Sequence, residues 1–224
     1  MSPPDGPVRP VYILLDISGS TARGGFAIGR GQAMPMLIDA AARHGGLLLA
    51  ILGYGTQADT LVWLSHPADI KLIPEVPPVG LSSLAAGLRL LTDSVRTDAA
   101  RLTADGISCL PPATLIVADG LPTDPAPALL EARSALDEAV ADAVATQRTG
   151  TSADSLVPVF AAPPDTDQLA IAGLRMDFRP LATDTPDALA GSIAAAFCEL
   201  VTGLPRRTAG CSRESRQWPW ISLR

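Results

Sequence analysis

The sequence predicts a doubly wound α/β domain, with a mostly parallel central sheet, one antiparallel edge strand and helices on both faces. Three observations carry this reading. Short apolar runs alternate with longer amphipathic segments along most of the 224 residues. The runs at 11–15 and 47–52 are apolar without a break, the pattern of strands buried on both faces. The segments between such runs have helical length and are punctuated by glycine and proline.

Each element follows in order. Residues 10–16 form the first buried strand. A helix is expected over 27–44, with Ile28, Met34, Leu37, Ile38 and Ala41 near helical spacing and Gly45-Gly46 ending it as a C-cap. A second buried strand covers 47–54, and 60–64 is its antiparallel edge partner. Three prolines and a glycine make 74–80 a loop. Ser82 or Ser83 then caps a helix over 84–102, whose Leu84, Leu88, Leu91 and Val95 share one face. A strand at 113–118, an alanine-rich helix at 128–147, a strand at 156–161 and a short helix at 166–171 follow. The last helix, 186–202, places Leu189, Ile193, Phe197 and Leu200 on one side.

Composition narrows the function classes. With 47% hydrophobic and 18% charged residues, the chain can bury a large core and is not a disordered protein. A net charge of −6 and a single lysine, Lys71, argue against a nucleic-acid-binding surface. No apolar stretch is long enough to span a bilayer, and the N-terminus lacks the pattern of a signal peptide. Three widely spaced cysteines, Cys109, Cys198 and Cys211, fit neither a disulfide framework nor a zinc site and read as reduced cytosolic thiols. The expected organisation is a leader at 1–8, one domain at 9–203 and a tail at 204–224. That tail carries five arginines against one glutamate, with Trp218-Pro219-Trp220 among them, and reads as a flexible or partner-dependent extension.

The candidate site lies where strands run out into loops. Asp16-Ile17-Ser18-Gly19-Ser20 follows the first strand, Gly80-Leu81-Ser82-Ser83 opens a helix, and Asp119-Gly120 follows a later strand. Together they offer carboxylate and hydroxyl oxygens, the donors that suit Mg²⁺, Mn²⁺ or Ca²⁺ rather than zinc or copper. In open α/β sheets, ligands bind outside the carboxyl ends of the strands, where these segments fall. Each signal alone has a plainer reading. Asp16, Ser18 and Ser20 suit a turn, Ser82 a helix cap, and Asp119-Gly120 a turn. Asp124 reads as a solvated residue or a cap for the following helix. His44 sits at a helix end and His66 in a turn, and neither has a partner that would make it a general base. Cys198 reads as core and Cys109 as a loop or edge thiol; Tyr54, between Gly53 and Gly55, reads as a buried strand-end aromatic, with lining of the cleft as the alternative.

Asp16-x-Ser18-x-Ser20, a hydroxyl at a helix start and a later Asp119-Gly120 resemble the metal-ion-dependent adhesion site of von Willebrand factor A domains. The segments 9–20 and 118–124 look like the bacterial tellurium-resistance TerY-type branch. The resemblance covers about residues 9–203 and implies the Rossmann-like, doubly wound fold of that family. It implies that Ser18 and Ser20 bind the metal directly, that Asp16 and Asp119 act mainly through bound water, and that Ser82 stands where the family usually has threonine. Ser83 is the rival for that place. The family's usual Gly-Gly-Thr reads Gly80-Leu81-Ser82 here, and Thr21 replaces a frequent methionine.

Such a site leaves a cation incompletely compensated, so that an Asp or Glu from a protein partner completes it. The expectation is a cytoplasmic, Mg²⁺-dependent interaction adaptor without enzymatic activity, acting in a bacterial stress or defence system. Its partners would be protein kinases, PP2C-type phosphatases or AAA-type ATPases. The alternatives are a metal-assisted phosphohydrolase using Asp16, and a metal-free regulatory module. The first is weakened by Ser18, which stands where haloacid-dehalogenase-like enzymes require aspartate.

Overall fold

The computed structural model describes residues 6–23, 25–146 and 157–202. A six-stranded sheet runs in the order β3-β2-β1-β4-β5-β6. The strands are β1 (Arg9–Asp16), β2 (Leu47–Tyr54), β3 (Ala58–Ser65), β4 (Ala113–Val117), β5 (Val159–Ala162) and β6 (Asp177–Pro180). All neighbours pair in parallel except β2 and β3, so β3 is the single antiparallel edge strand. The helices are α1 (Phe26–His44), α2 (Leu84–Ala104), α3 (Ala126–Thr146), α4 (Gln168–Gly173) and α5 (Pro186–Thr202).

Strand alternation divides the core in two. Val11, Ile13 and Leu15 of β1 face α1 and α5, where they meet Leu37, Ile193 and Phe197. Tyr12 and Leu14 face α2 and α3, against Leu88, Leu91 and Leu136. All eight residues of both β1 and β2 are buried, as their unbroken apolar runs require. α1 and α5 approach closely at Gly29, where an added Cβ would lie 2.6 Å from the Pro186 carbonyl oxygen.

This order creates a switch point between β1 and β4. β1 leads through α1 to β2 on one side, whereas β4 leads through α3 to β5 on the other. Leu15 pairs with Val117, so both strands end at the same level and their following loops diverge. A crevice at the carboxyl ends of the two strands results.

Several expectations need correction. Cys198 is exposed rather than core, because it lies about 100° round the helix from Phe197 and beyond the stripe formed by Ile193, Phe197 and Val201. Ile28 is exposed too, since the buried stripe of α1 runs through Phe26, Arg30, Ala33 and Leu37. Cys109 does lie outside the strands and helices, in an isolated parallel bridge with Val8, and it is buried there, which pushes its thiol up to about 11. The short helix α4 starts two residues later than expected, because the Asp167 carboxylate accepts hydrogen bonds from the amides of Leu169 and Ala170 and fixes the cap. β5 begins at Val159, and the expected strand start at Leu156 lies outside the described residues, as do Gln147, Cys211, the leader residues 1–5 and the tail from residue 203. Among the described residues, no helix is long and apolar enough to cross a membrane.

Candidate functional site

The loop after β1 is shaped by its own side chains. Asp16, fully buried, accepts a hydrogen bond from the Ser18 amide at 2.8 Å through Oδ1. The Ser18 and Ser20 hydroxyls share a hydrogen bond of 2.9 Å. Thr21 donates its hydroxyl to the Ser18 carbonyl at 2.7 Å and closes the short turn Gly19–Ala22. Thr21 therefore holds the serine loop in place.

The second segment joins through Gly80. Its φ of 76° is left-handed, and an added Cβ would sit 2.1 Å from Thr56 Oγ1. The Gly19 amide donates to the Gly80 carbonyl at 3.0 Å, and the Val79 amide to the Ile17 carbonyl at 3.0 Å. This path aims Ser82 inward, where its hydroxyl donates to Asp16 Oδ2 at 2.7 Å. Ser83 turns away. Its hydroxyl donates to Asp124 at 2.7 Å and accepts from the Ala86 amide, so it caps α2.

The third segment follows β4. Asp119 is half-buried at the switch point, with the Ser20 hydroxyl near its carboxyl. Burial raises its pKa above the usual carboxylate range; the Ser20 hydroxyl opposes the shift and the nearby Asp16 charge reinforces it. The loop is tied to the α2 entry by Thr123, whose amide and hydroxyl both donate to the Ser82 carbonyl, at 2.8 and 2.9 Å. Asp124 accepts from Ser83 and from the Ala85 amide, so it caps α2 and not the following helix.

Asp16, Ser18, Ser20, Ser82 and Asp119 thus converge from three segments onto one crevice. The set is all oxygen, two carboxylates and three hydroxyls, and its chemistry fits a hard divalent cation. Among the described residues, no group of three or more His, Cys, Asp or Glu side chains is placed to hold a metal, so any site built here must draw on hydroxyls.

Two neighbours border the site: Tyr54, which the sequence offered as a buried strand-end aromatic, and Arg30, which it did not single out. Tyr54, at the end of β2, is buried with its phenol near Ser82 and Asp16. Burial, followed by the charges of Asp16 and Asp119, keeps its phenol protonated well above the ordinary range. Arg30 of α1 is 8% exposed and donates a guanidinium N–H to the Asp16 carbonyl. Its signal was an arginine falling within the apolar stripe of a helix that begins at the crevice.

No protein-family model matches the sequence, and no curated protein matches it. The fold nevertheless recurs in solved structures. The pilus adhesin SpaC from Lactobacillus rhamnosus GG superposes with a TM-score of 0.61 at 11% identity, over 90% of this chain and 31% of that one. The PilB minor pilin from Streptococcus sanguinis gives 0.58 at 11%, over 91% of this chain and 64% of that one. A von Willebrand factor type A protein from Catenulispora acidiphila gives 0.53 at 12%, over 88% and 43%. The chain spans less than two thirds of each of these proteins. At such identities the likeness is one of fold, and the fold is that of the von Willebrand factor A module.

Proposed function

We propose that this protein is a metal-dependent protein-interaction module, without catalytic activity of its own, that binds a partner's Asp or Glu at the Asp16 crevice. The observation that supports it is the convergence of Asp16, Ser18, Ser20, Ser82 and Asp119 at the switch point, with Ser82 hydrogen-bonded directly to Asp16. Ser18, Ser20 and Ser82 offer neutral donors, and Asp16 orients Ser18 and Ser82 through its two oxygens. Ser20 is held by the Ser18 hydroxyl, and Asp119 adds a second carboxylate beside it. A bound Mg²⁺, or Mn²⁺ or Ca²⁺ in its place, would supply a coordination position for an incoming carboxylate.

Adhesin and pilin neighbours support reading the fold as one used for interactions. The TerY-like motifs at 9–20 and 118–124 support the finer reading, a cytoplasmic adaptor in a bacterial stress or defence system. Its partners would then be a protein kinase, a PP2C-type phosphatase or an AAA-type ATPase. The test is affinity capture from native lysate in Mg²⁺ and in EDTA, using the wild type and the Asp16→Ala, Ser18→Ala double variant. Partners retained only by the wild type in Mg²⁺ support the reading. Identical partners in all lanes overturn it.

A further inference from the structure

Among the described residues, Arg30 brings a cation to the crevice. Arg30 occupies the core-facing stripe of α1, between Phe26 and Ala33, and its guanidinium is directed at the carboxyl end of β1. It is anchored by the carbonyl of Asp16 and not by a carboxylate, and among the described residues it forms no ion pair within 4.0 Å. Its charge nonetheless acts on both Asp16 and Asp119. An arginine so placed stays charged, because guanidinium does not lose its proton in proteins.

We propose that Arg30 sets the charge balance of the crevice so that a divalent cation and an anionic ligand bind as a unit. This rests on the metal-dependent reading above and goes beyond it by naming the residue that couples the two. Asp16, Asp119 and Arg30 together leave one negative charge. A divalent cation alone turns this into one positive charge, and a cation with a carboxylate brings it to neutrality. Without Arg30 the order changes: the cation alone already neutralises the two carboxylates, and an added carboxylate leaves a net negative charge.

In a half-buried crevice such differences are weakly screened, so the balance decides which complex is stable. Arg30 therefore weakens the hold on the free ion and strengthens the hold of the metal-loaded site on a carboxylate. Solvent Mg²⁺ alone is a poor ligand for this site, and the partner's acid completes it. Because Arg30 bonds a backbone carbonyl and leaves the carboxylate oxygens of Asp16 to Ser18 and Ser82, it tunes the site without occupying it.

The test is calorimetric titration with Mg²⁺ alone, and with Mg²⁺ in saturating acetate as the carboxylate probe. It uses the wild type, Arg30→Lys, Arg30→Met and Arg30→Gln. The glutamine variant keeps an amide donor and covers the case in which Arg30→Met fails to fold. Removing the charge should tighten the Kd for Mg²⁺ alone by about tenfold or more, and acetate should erase part of that gain. Arg30→Lys should follow the wild type. Equal Mg²⁺ affinities with and without the charge would overturn the coupling while leaving the metal site intact. Absence of saturable Mg²⁺ binding in the wild type and every variant would overturn the metal site and the coupling with it.

Discussion

Ser82 donates its hydroxyl to Asp16 Oδ2 at 2.7 Å across 66 residues of sequence, whereas its neighbour Ser83 bonds Asp124 and the first turn of α2. Two adjacent hydroxyls thus serve different ends, one in the crevice and one at a helix cap.

That division predicts opposite phenotypes. Ser82→Ala removes a buried hydrogen bond and should cost about 1–3 kcal/mol, together with most of the Mg²⁺ affinity. Ser82→Thr restores the hydroxyl and should recover both. Ser83→Ala removes a helix cap and should cost about 1 kcal/mol while Mg²⁺ affinity is kept. Urea denaturation and Mg²⁺ titration of the three variants separate the effects. Equal loss of affinity in Ser82→Ala and Ser83→Ala would refute the division.

The sheet was legible because β1 and β2 are buried on both faces, and burial on both faces writes itself as an unbroken apolar run. The three site segments were legible only in combination, because each alone also suits a turn or a helix cap, whereas all three fall at the carboxyl ends of strands. The choice between Ser82 and Ser83 was not, since it depends on the left-handed turn at Gly80 and its contact with Thr56, a relation 24 residues apart. Arg30 escaped notice for a related reason: a single charge inside an apolar stripe looks like an interruption until the strand end opposite it is known. Cys198 failed at the stripe's margin, where one residue of rotation separates core from solvent.

A second polar cluster lies between β1 and α2, away from the carboxyl ends of the strands, and predicts a pH effect. Tyr12 donates to Asp98 at 3.1 Å, and Arg101 donates to the same carboxylate at 2.7 Å. Burial raises the Asp98 pKa, outweighing the opposing pull of Arg101 and Tyr12. The folded protein therefore keeps this proton to higher pH than the unfolded chain, and folding stability falls as pH rises through that interval. Asp98→Asn lacks the titration. Its stability relative to wild type should increase from about pH 4 towards about pH 7, as read by thermal melts in matched buffers. A pH-independent difference would refute the assignment.

Cysteine reactivity should divide by burial. A thiol at about 11 is ionised in only about one molecule in ten thousand at neutral pH, and Cys109 is also shielded from solvent. Cys198 is exposed on α5. Brief iodoacetamide treatment of the native protein, followed by peptide mass spectrometry, should modify Cys198 and spare Cys109. Denaturation should equalise the two. Native labelling of Cys109 at the rate of Cys198 would contradict the packing of that edge.

Two glycines in α1 offer the sharpest test of the helix pair that supports the crevice. At Gly29 a Cβ would meet the Pro186 carbonyl oxygen at 2.6 Å and Leu189 Cδ2 at 2.9 Å, so α5 must shift to admit it. At Gly31, two residues on, nothing lies within 4 Å. Gly29→Ala should destabilise by about 1–3 kcal/mol through overpacking. Gly31→Ala should stabilise by about 0.5–1 kcal/mol, because alanine loses less backbone entropy on entering a helix. Because Gly29 directly precedes Arg30, Gly29→Ala should also perturb Mg²⁺ binding, whereas Gly31→Ala should leave it unchanged. Denaturation midpoints and Mg²⁺ titrations of both variants check these outcomes. A Gly29→Ala protein as stable as wild type would mean that α1 and α5 are not in the contact described.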